Sequence, residues 1–291
     1  MRLCYDATRF GSGLQEAVEI AAERGLSACE YSFESFETGG KSAKKLSADE
    51  TEHLKSVADF CKQKDIEIAC LRLNMQLVAS DKKSLRSFNS MIDKLASVAE
   101  ALQCKRLLFY LLPESSDDWM DSVESALKPI VEKLDKAGIR LLMSTGTPAP
   151  FRGRSLKHWR PMEPQEWREM LARIPELSLS LSIADCVWQG IDYLRILPNL
   201  VPAVDHVEAQ DVEVIRQIIS DNGYFGPLFW RYKTVGKGQV DWGQFVEALK
   251  LYEYSGSLSI QFNDEFTSEN EQGLWDALES STKLLAPLVK Y

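Results

Sequence analysis

Short apolar runs alternate with longer amphipathic segments along the whole chain of 291 residues. Each run has the length of a strand, and its continuous apolar character is typical of a parallel sheet that is buried on both faces. Eight runs are predicted as strands, at residues 3–8, 28–33, 66–74, 106–111, 139–144, 177–184, 206–210 and 258–262.

The segments between these runs have helical spacing. In residues 14–25 the apolar positions recur every three or four residues, and Gly25 stands where a helix is expected to stop. Residues 124–138 and 241–251 repeat this pattern, and residues 48–60 form a more polar helical segment. We interpret His53, on that polar segment, as a surface residue.

Regular alternation of strand and helix predicts parallel strands, because parallel neighbours need a long crossover between them. Eight such units at this length favour a single (β/α)8 TIM barrel, and an open doubly wound sheet is the alternative. No stretch rich in glycine, serine or proline divides the chain, so residues 1–291 are predicted to form one domain. The longest interruption, residues 147–167, follows the fifth strand and should lie at the C-terminal mouth.

The composition narrows the class of ligand. A formal net charge of −9 argues against a nucleic-acid partner, because backbone phosphates require clustered lysine and arginine. The sequence contains no run of about 18 apolar residues, so it predicts no membrane-spanning helix. The six cysteines form no Cys-x-x-Cys pair, which is typical of reduced, buried thiols. We therefore expect a cytoplasmic protein that binds a small molecule.

Candidate chemistry lies near the ends of the predicted strands. Alternation along a strand places His206 and Glu208 on one side of the seventh strand, and Ser259 and Gln261 on one side of the eighth. Small polar residues can fill a barrel interior, but a buried carboxylate such as Glu208 needs a partner, a metal or a raised pKa. The candidate substrate-binding residues are Glu30, Arg72, Asn74, Ser144, Trp188, Arg231 and Gln261.

Two stretches carry a family resemblance. One is the helical segment Glu16-Ala17-Val18 and Ala21-Ala22-Glu23-Arg24-Gly25 that leads to Glu30, and the other is Gly236-Lys237-Gly238-Gln239-Val240-Asp241-Trp242. Together with the strand spacing, they make nearly the whole chain similar to the xylose isomerase-like barrels, the sugar phosphate isomerase and epimerase superfamily. That resemblance implies a TIM barrel with its site at the C-terminal mouth.

The resemblance also implies a divalent metal held by five positions on strands five to eight. Carried over residue by residue, these positions fall on Ser144, Asp185, Trp188, Glu208 and Gln261, and only Asp185 has the residue type that the family uses. Neutral side chains are weak ligands for a hard cation, so we predict that the tight metal site has been lost. A weak magnesium or manganese site at Asp185, Glu208 and Gln261 is the alternative.

Catalysis without a metal would need other groups. We expect Glu208 to act as a general base, with Asp185 in the catalytic set and Arg231, Lys233 or Lys237 as the cation that stabilises developing negative charge. The competing interpretation of Glu208 is an internal salt bridge to Arg72. Trp188 either stacks on a sugar ring or fills the vacated metal cavity.

Two further patterns are less specific. The basic run between Arg152 and Arg160 is interpreted as a lid that captures an anion, a solvated face or part of a homodimer contact. Gly11-Ser12-Gly13 precedes a helix but lacks the third glycine of a dinucleotide fingerprint, so a plain loop is expected.

Two functions remain at this point. The first is a sugar phosphate isomerase-like or epimerase-like protein that acts on or binds a small polyhydroxylated substrate. The second is a catalytically inactive barrel that binds a carbohydrate or serves as a scaffold for a partner. Loss of four of the five metal positions favours the second, and the acids, amides and cations at the strand ends favour the first.

Overall fold

The computed structural model describes residues 1–11, 13–32, 46–267 and 270–290. The predicted positions Ser12 and Phe33 and the side chain of Asn74 lie outside the described residues. The chain folds as a closed barrel of eight parallel strands with helices between them, which confirms the predicted TIM barrel. Because β1 pairs with the last strand, the open-sheet alternative is wrong.

All eight predicted strands are present, with ends shifted by a few residues. The barrel order is β1-β10-β7-β6-β5-β4-β3-β2, and β8 and β9 form a separate antiparallel pair. The strands are β1 (Arg2–Asp6), β2 (Ala28–Ser32), β3 (Glu67–Leu77), β4 (Arg106–Leu111), β5 (Arg140–Ser144), β6 (Ser178–Ser182), β7 (Val204–Ala209), β8 (Asp211–Val214), β9 (Trp230–Lys233) and β10 (Ser257–Ile260).

The helices pack around the barrel or cover its rim. They are α1 (Leu14–Glu23), α2 (Ala48–Lys64), α3 (Lys82–Leu102), α4 (Trp119–Lys136), α5 (Pro164–Arg173), α6 (Ile183–Trp188), α7 (Tyr193–Leu200), α8 (Arg216–Asn222), α9 (Trp242–Leu251) and α10 (Glu271–Lys290). Local chemistry sets their ends. For example, α2 begins at a capping box in which the Ser47 hydroxyl accepts from Glu50 N–H and the Glu50 carboxylate accepts from Ser47 N–H.

Alternation along each strand separates two cores. Leu107 and Phe109 point outward and belong to the main core between strands and helices. Leu108 and Tyr110 point the other way and form a separate cluster with Cys70 and Leu142 that fills part of the barrel interior. The polar side chains of β7 and β10 share the interior with this cluster, since Ser259 lies beside Glu208 in register.

All six cysteines are buried and unpaired, as predicted. Among the helices in the described ranges, none is both long enough and apolar enough to cross a membrane.

The structure corrects two boundaries. The predicted sixth strand continued to residue 184, but β6 ends at Ser182 and α6 begins at once at Ile183. The hairpin β8–β9 was not predicted, because Asp211–Val214 has only four residues and directly follows the seventh strand. The chain therefore leaves the barrel at Gln210, crosses the rim and returns before α9.

A single carboxylate joins this hairpin to the stretch 236–242. Asp211, which is fully buried, accepts hydrogen bonds from the backbone N–H groups of Gly236 and Val240 at 2.9 and 3.1 Å, and from the indole N–H of Trp242 at 3.0 Å. A side chain at Gly238 would collide with this carboxylate and with the carbonyl of Val212. The glycine and the tryptophan of this motif thus have a structural explanation.

Gly238→Ala is expected to lower the free energy of unfolding by about 1–3 kcal/mol, because the added methyl group forces the Asp211 contacts apart. The measurement is urea unfolding followed by circular dichroism. Gly243→Ala is the matched control, since its added carbon would meet only Asp241 at 3.5 Å and alanine favours the helix α9. Equal stability of the two variants would contradict the role given to Asp211.

Candidate functional site

The centre of the barrel mouth is occupied by the guanidinium of Arg72, which β3 carries into the interior. Arg72 is only 4% exposed. It donates from Nε to Glu30 at 2.5 Å, to the Tyr110 hydroxyl at 2.6 Å and to Gln261 Oε1 at 3.0 Å, and it lies 3.8 Å from Glu208 Oε2. Burial alone disfavours the charged form, but Glu30, Tyr110 and Glu208 together raise the pKa of Arg72 above its ordinary value.

Glu30 is the main partner of this cation. Its carboxylate is fully buried and also accepts from the Ser259 hydroxyl at 2.9 Å and from Gln261 Nε2 at 3.0 Å. Burial raises the pKa of Glu30, but Arg72, followed by His206 and Ser259, outweighs burial and holds that pKa well below its ordinary value. Glu30 is therefore ionised at neutral pH. The nearby Asp6 shows the opposite balance, since burial and the Glu30 charge raise its pKa.

Glu208 lies on the other side of the cation. Its Oε1 accepts from the hydroxyls of Ser144 at 2.6 Å and Ser180 at 2.9 Å. Because Ser180 has one hydrogen and donates it to the carboxylate, the 3.0 Å contact with His206 makes Nδ1 the donor. The other ring nitrogen, Nε2, lies 3.3 Å from Glu30 without hydrogen-bond geometry. Serines of β5 and β6 thus hold Glu208 in place.

Asp185 is surrounded by protein donors. It lies on α6, and both carboxylate oxygens accept from the Tyr232 hydroxyl, at 3.1 and 2.9 Å. Thr147 donates its N–H at 3.0 Å and also its hydroxyl, Ser182 donates its hydroxyl at 2.6 Å, and Trp188 donates its indole N–H at 3.0 Å. Five donor groups from four residues therefore satisfy this carboxylate.

Trp188 is fixed by its neighbours as well as by Asp185. Its ring stacks on Trp230 of β9 with centroids 4.8 Å apart and an interplanar angle of 8°. It is 2% exposed. The hairpin β8–β9 thus supplies both a ring against Trp188 and the Tyr232 hydroxyl against Asp185.

The segment 147–167 lies at the mouth, as predicted for a loop that follows strand five. Arg152 is half-buried and reaches inward, donating to the Thr147 carbonyl at 3.1 Å, to Asn263 Oδ1 at 2.6 Å and to the Tyr110 hydroxyl at 3.3 Å. Arg160 turns the other way and makes a bidentate pair with Glu166 at 3.1 and 2.9 Å. The basic run therefore divides, with Arg152 in the mouth and Arg160 at the surface.

Two predicted cations lie apart from Glu208. Arg231 is partly exposed and pairs with Glu213 of the neighbouring strand at 2.6 Å. Lys237 lies on an exposed turn between β9 and α9. The third predicted cation, Lys233 of β9, has its ammonium 5.7 Å from the centre of the Phe266 ring. The described contacts join none of the three to Glu208, so their predicted roles stay predictions. One network of hydrogen bonds and ion pairs joins five of the predicted site residues: Glu30, Arg72, Ser144, Glu208 and Gln261.

One group of metal-ligand types lies together. Ligand atoms of Glu30, Cys70 and His206 fall within 4.8 Å of one another, and all three residues are buried. Such a set suits zinc by donor type. Here the Glu30 carboxylate is already bound by Arg72, and burial raises the pKa of the Cys70 thiol well above its ordinary value.

The sequence did not predict three hydroxyl-bearing residues that contact the candidate site. Tyr110, Thr147 and Tyr232 each donate to or accept from a candidate residue. Tyr110 offered a signal, because period two places it on the inward face of β4 with Leu108, where its hydroxyl needs a partner. Tyr232 lies on the hairpin that was not predicted.

The family described as the xylose isomerase-like TIM barrel matches residues 18–284. The chain belongs to this family. A second comparison finds 28% identity over 116 residues with the uncharacterized protein YfiH of Bacillus subtilis (strain 168). That match covers 36% of this chain and 37% of YfiH.

Solved structures show the same fold at low identity. A xylose isomerase domain protein from Planctomyces limnophilus has a TM-score of 0.70 at 14% identity, covering 99% of this chain and 95% of its own. D-Psicose 3-epimerase in the presence of D-fructose has a TM-score of 0.73 at 9% identity, with 100% of both chains covered. The IolI protein with a bound zinc atom has a TM-score of 0.72 at 14% identity, covering 99% of this chain and 98% of its own.

Asp185→Asn is expected to lower the free energy of unfolding by about 2–3 kcal/mol, measured in urea with a chelator present. An amide replaces an acceptor oxygen with a donor that faces Thr147, Trp188 or Tyr232. The exposed carboxylate of Asp59 supplies the control, and Asp59→Asn should change stability by less than about 0.5 kcal/mol. Unchanged stability of Asp185→Asn would show that its protein donors contribute little.

Glu30 should contribute to the pH dependence of folding. Its pKa in the folded chain lies below the ordinary value of 4.5, so the unfolded chain takes up the proton first as the pH falls. The stabilisation is therefore complete above about pH 5 and is lost on acidification below 4.5. Comparing wild type with Glu30→Gln, the difference in unfolding free energy should shrink as the pH falls from 6 to about 3. Glu247→Gln, at an exposed position on α9, should follow the wild-type curve.

Proposed function

We propose that this barrel acts on or binds a small polyhydroxylated substrate at its C-terminal mouth without a tightly held divalent metal. The observation that carries the proposal is the position of the Arg72 guanidinium, 3.0 Å from Gln261 and 3.8 Å from Glu208. Gln261 and Glu208 stand at two of the five positions that correspond to the family's metal ligands. A fixed positive charge therefore already lies where a metal would need anionic oxygens.

The donor set does not fit the family's metal. Ser144 and Gln261 are neutral, and Trp188 supplies an N–H donor instead of a ligand nitrogen. Asp185, the one position of the right type, has both oxygens occupied by protein donors. A cation would have to displace several of these hydrogen bonds and approach Arg72, which opposes tight binding.

The remaining groups favour proton transfer next to a carbonyl. Glu208 is the base, since Ser144 and Ser180 hold its Oε1 while Oε2 lies nearer Arg72 and Gly146. It would take the proton from the hydroxyl-bearing carbon beside a substrate carbonyl and return it to the carbonyl carbon, while the hydroxyl proton passes to the carbonyl oxygen. In an epimerisation, water would instead protonate the first carbon from the opposite face. Developing negative charge on the carbonyl oxygen would be stabilised by an arginine instead of a metal.

Arg152 is the cation best placed to meet a substrate. It is half-buried, whereas Arg72 is almost fully buried, and the hydroxyl of Tyr110 contacts both guanidinium groups. Asn263, on the partly exposed rim, fixes Arg152 at 2.6 Å and adds an amide suited to sugar hydroxyls. A ligand hydroxyl or carbonyl that displaced the Asn263 contact would sit above the charged cluster.

A second function is favoured by burial. Glu30, Arg72 and Glu208 are each less than 5% exposed and saturate one another. A carboxylate so deeply buried and held by protein hydroxyls supports a catalytically inactive barrel that binds a carbohydrate or a partner. In that case the polar interior has only a structural role.

Deuterium exchange separates the two functions. Wild-type protein is incubated with a panel of ketoses and inososes in heavy water that contains a chelator. Exchange of a carbon-bound proton for deuterium is followed as the loss of its proton NMR signal. We expect exchange with at least one of them, and Glu208→Gln should slow it by about 100-fold or more with a small change in KM. Glu247→Gln, on the outer helix α9, should exchange at the wild-type rate.

Calorimetry completes the experiment. Sugar binding without exchange across the panel would support the inactive barrel. Titration of the apoprotein with magnesium, manganese and zinc should show no binding tighter than about 10 μM. Micromolar binding that disappears in Asp185→Ala would contradict the metal-independent proposal.

A further inference from the structure

A cleft of about 620 Å³ lies outside the barrel mouth, between the segment 147–167, the end of α6 and the hairpin tip. Its aromatic and amide lining includes Trp159, Trp188, Gln189, Tyr224, Phe225 and Phe229. The volume falls in the range of small-molecule sites. The proposed function does not use this cleft.

The rings around the cleft form one connected group. The ring centroid of Trp188 lies 6.1 Å from that of Trp159 and 6.2 Å from that of Phe229. The centroids of Phe229 and Tyr224 are 5.5 Å apart, and all three pairs are edge-to-face. Tyr224 and Phe225 are 54% and 69% exposed at the rim. Large aromatic side chains that are exposed to solvent beside an aromatic cleft indicate an interaction site.

Two residues of the lining carry unused donors. The indole N–H of Trp159 and the side-chain amide of Gln189 are buried and have no hydrogen-bond partner among the described residues. Buried polar groups without partners are uncommon in native proteins and call for an explanation. Both groups are donors, so an occupant would have to supply acceptors.

Charge is accounted for within the protein. Arg160 also lines the cleft, but Glu166 holds its guanidinium at 2.9 and 3.1 Å and the Glu114 carbonyl accepts from it at 3.2 Å. The Glu163 carboxylate also lines the cleft, and it caps the first turn of α5. The cleft therefore offers ring faces and neutral N–H donors to a ligand, and both of its charged side chains have partners within the protein.

We propose that this cleft binds an uncharged, ring-bearing small molecule that carries a hydrogen-bond acceptor. Its ring packs against Trp159, Phe229 and Phe225, and its acceptor receives the N–H of Trp159 or Gln189. Stacking and edge contacts with rings, together with one or two hydrogen bonds, are the usual recognition elements of such sites.

The test uses Prodan, an uncharged naphthalene ketone whose emission shifts to the blue in apolar surroundings. Titration of the full chain should give a saturable blue shift with one equivalent bound. Phe225→Ser removes a rim ring and should weaken binding about fivefold or more. Trp159→Phe keeps a ring but removes the N–H, and it should weaken binding by a similar factor.

Leu251→Ser is the matched control, because Leu251 is 73% exposed at the end of α9 and does not line the cleft. It should bind Prodan as wild type does. Near-ultraviolet circular dichroism checks that each variant keeps its tertiary structure, and Phe225→Ser, at an exposed position, tests the site even if Trp159→Phe fails to fold. Unsaturable binding, or equal affinity of Phe225→Ser and Leu251→Ser, would overturn the proposal. Neither result bears on deuterium exchange at the mouth.

Discussion

The ion pair between Arg72 and Glu30 is the constraint on which the mouth of this barrel depends. Both side chains are almost fully buried, so water solvates neither charge and each depends on the other as its partner. Removing one partner of such a pair leaves an uncompensated charge and is strongly destabilising. The Arg72 guanidinium also fixes Tyr110 and Gln261, and through them Arg152 and Ser259. The geometry of the mouth therefore follows from where β3 places one side chain.

The strands could be predicted because the barrel buries them on both faces, which leaves continuous apolar runs of the right length. Residues 106–111 illustrate this, since prediction and structure agree at both ends. The hairpin β8–β9 could not be recognised in this way. Its strands have four residues each and alternate polar and apolar residues, so they lack the continuous apolar run that marks the barrel strands, and four residues is the shortest length at which alternation indicates a strand. Short elements are stabilised by tertiary contacts, here those of Asp211, Trp230 and Tyr232.

The candidate site was only partly predictable, for a similar reason. Alternation along β7 correctly placed His206 and Glu208 on one face, and a contact between Glu208 and Arg72 was one of the two interpretations considered. The closer pair of Arg72 with Glu30 depends on the register between β2 and β3, which contains an irregularity after Cys29. No sequence pattern gives such a register. The hydroxyl partners of Asp185 come from the end of β6, from the loop after β5 and from the hairpin, so their convergence is a property of the folded chain.

The carboxylate of Asp211 has a further consequence for the rim. It ties the first residue of β8 to the turn after β9 and to the first residue of α9, so three pieces of chain share one anchor. Length changes near that anchor would break all three ties at once. Insertions and deletions in relatives should therefore be more frequent at the far tip, around residues 221–227, which Asp211 does not contact and where the Gly226 carbonyl accepts from the Ser155 hydroxyl. The outer wall of this barrel can diversify there while its base keeps the same shape.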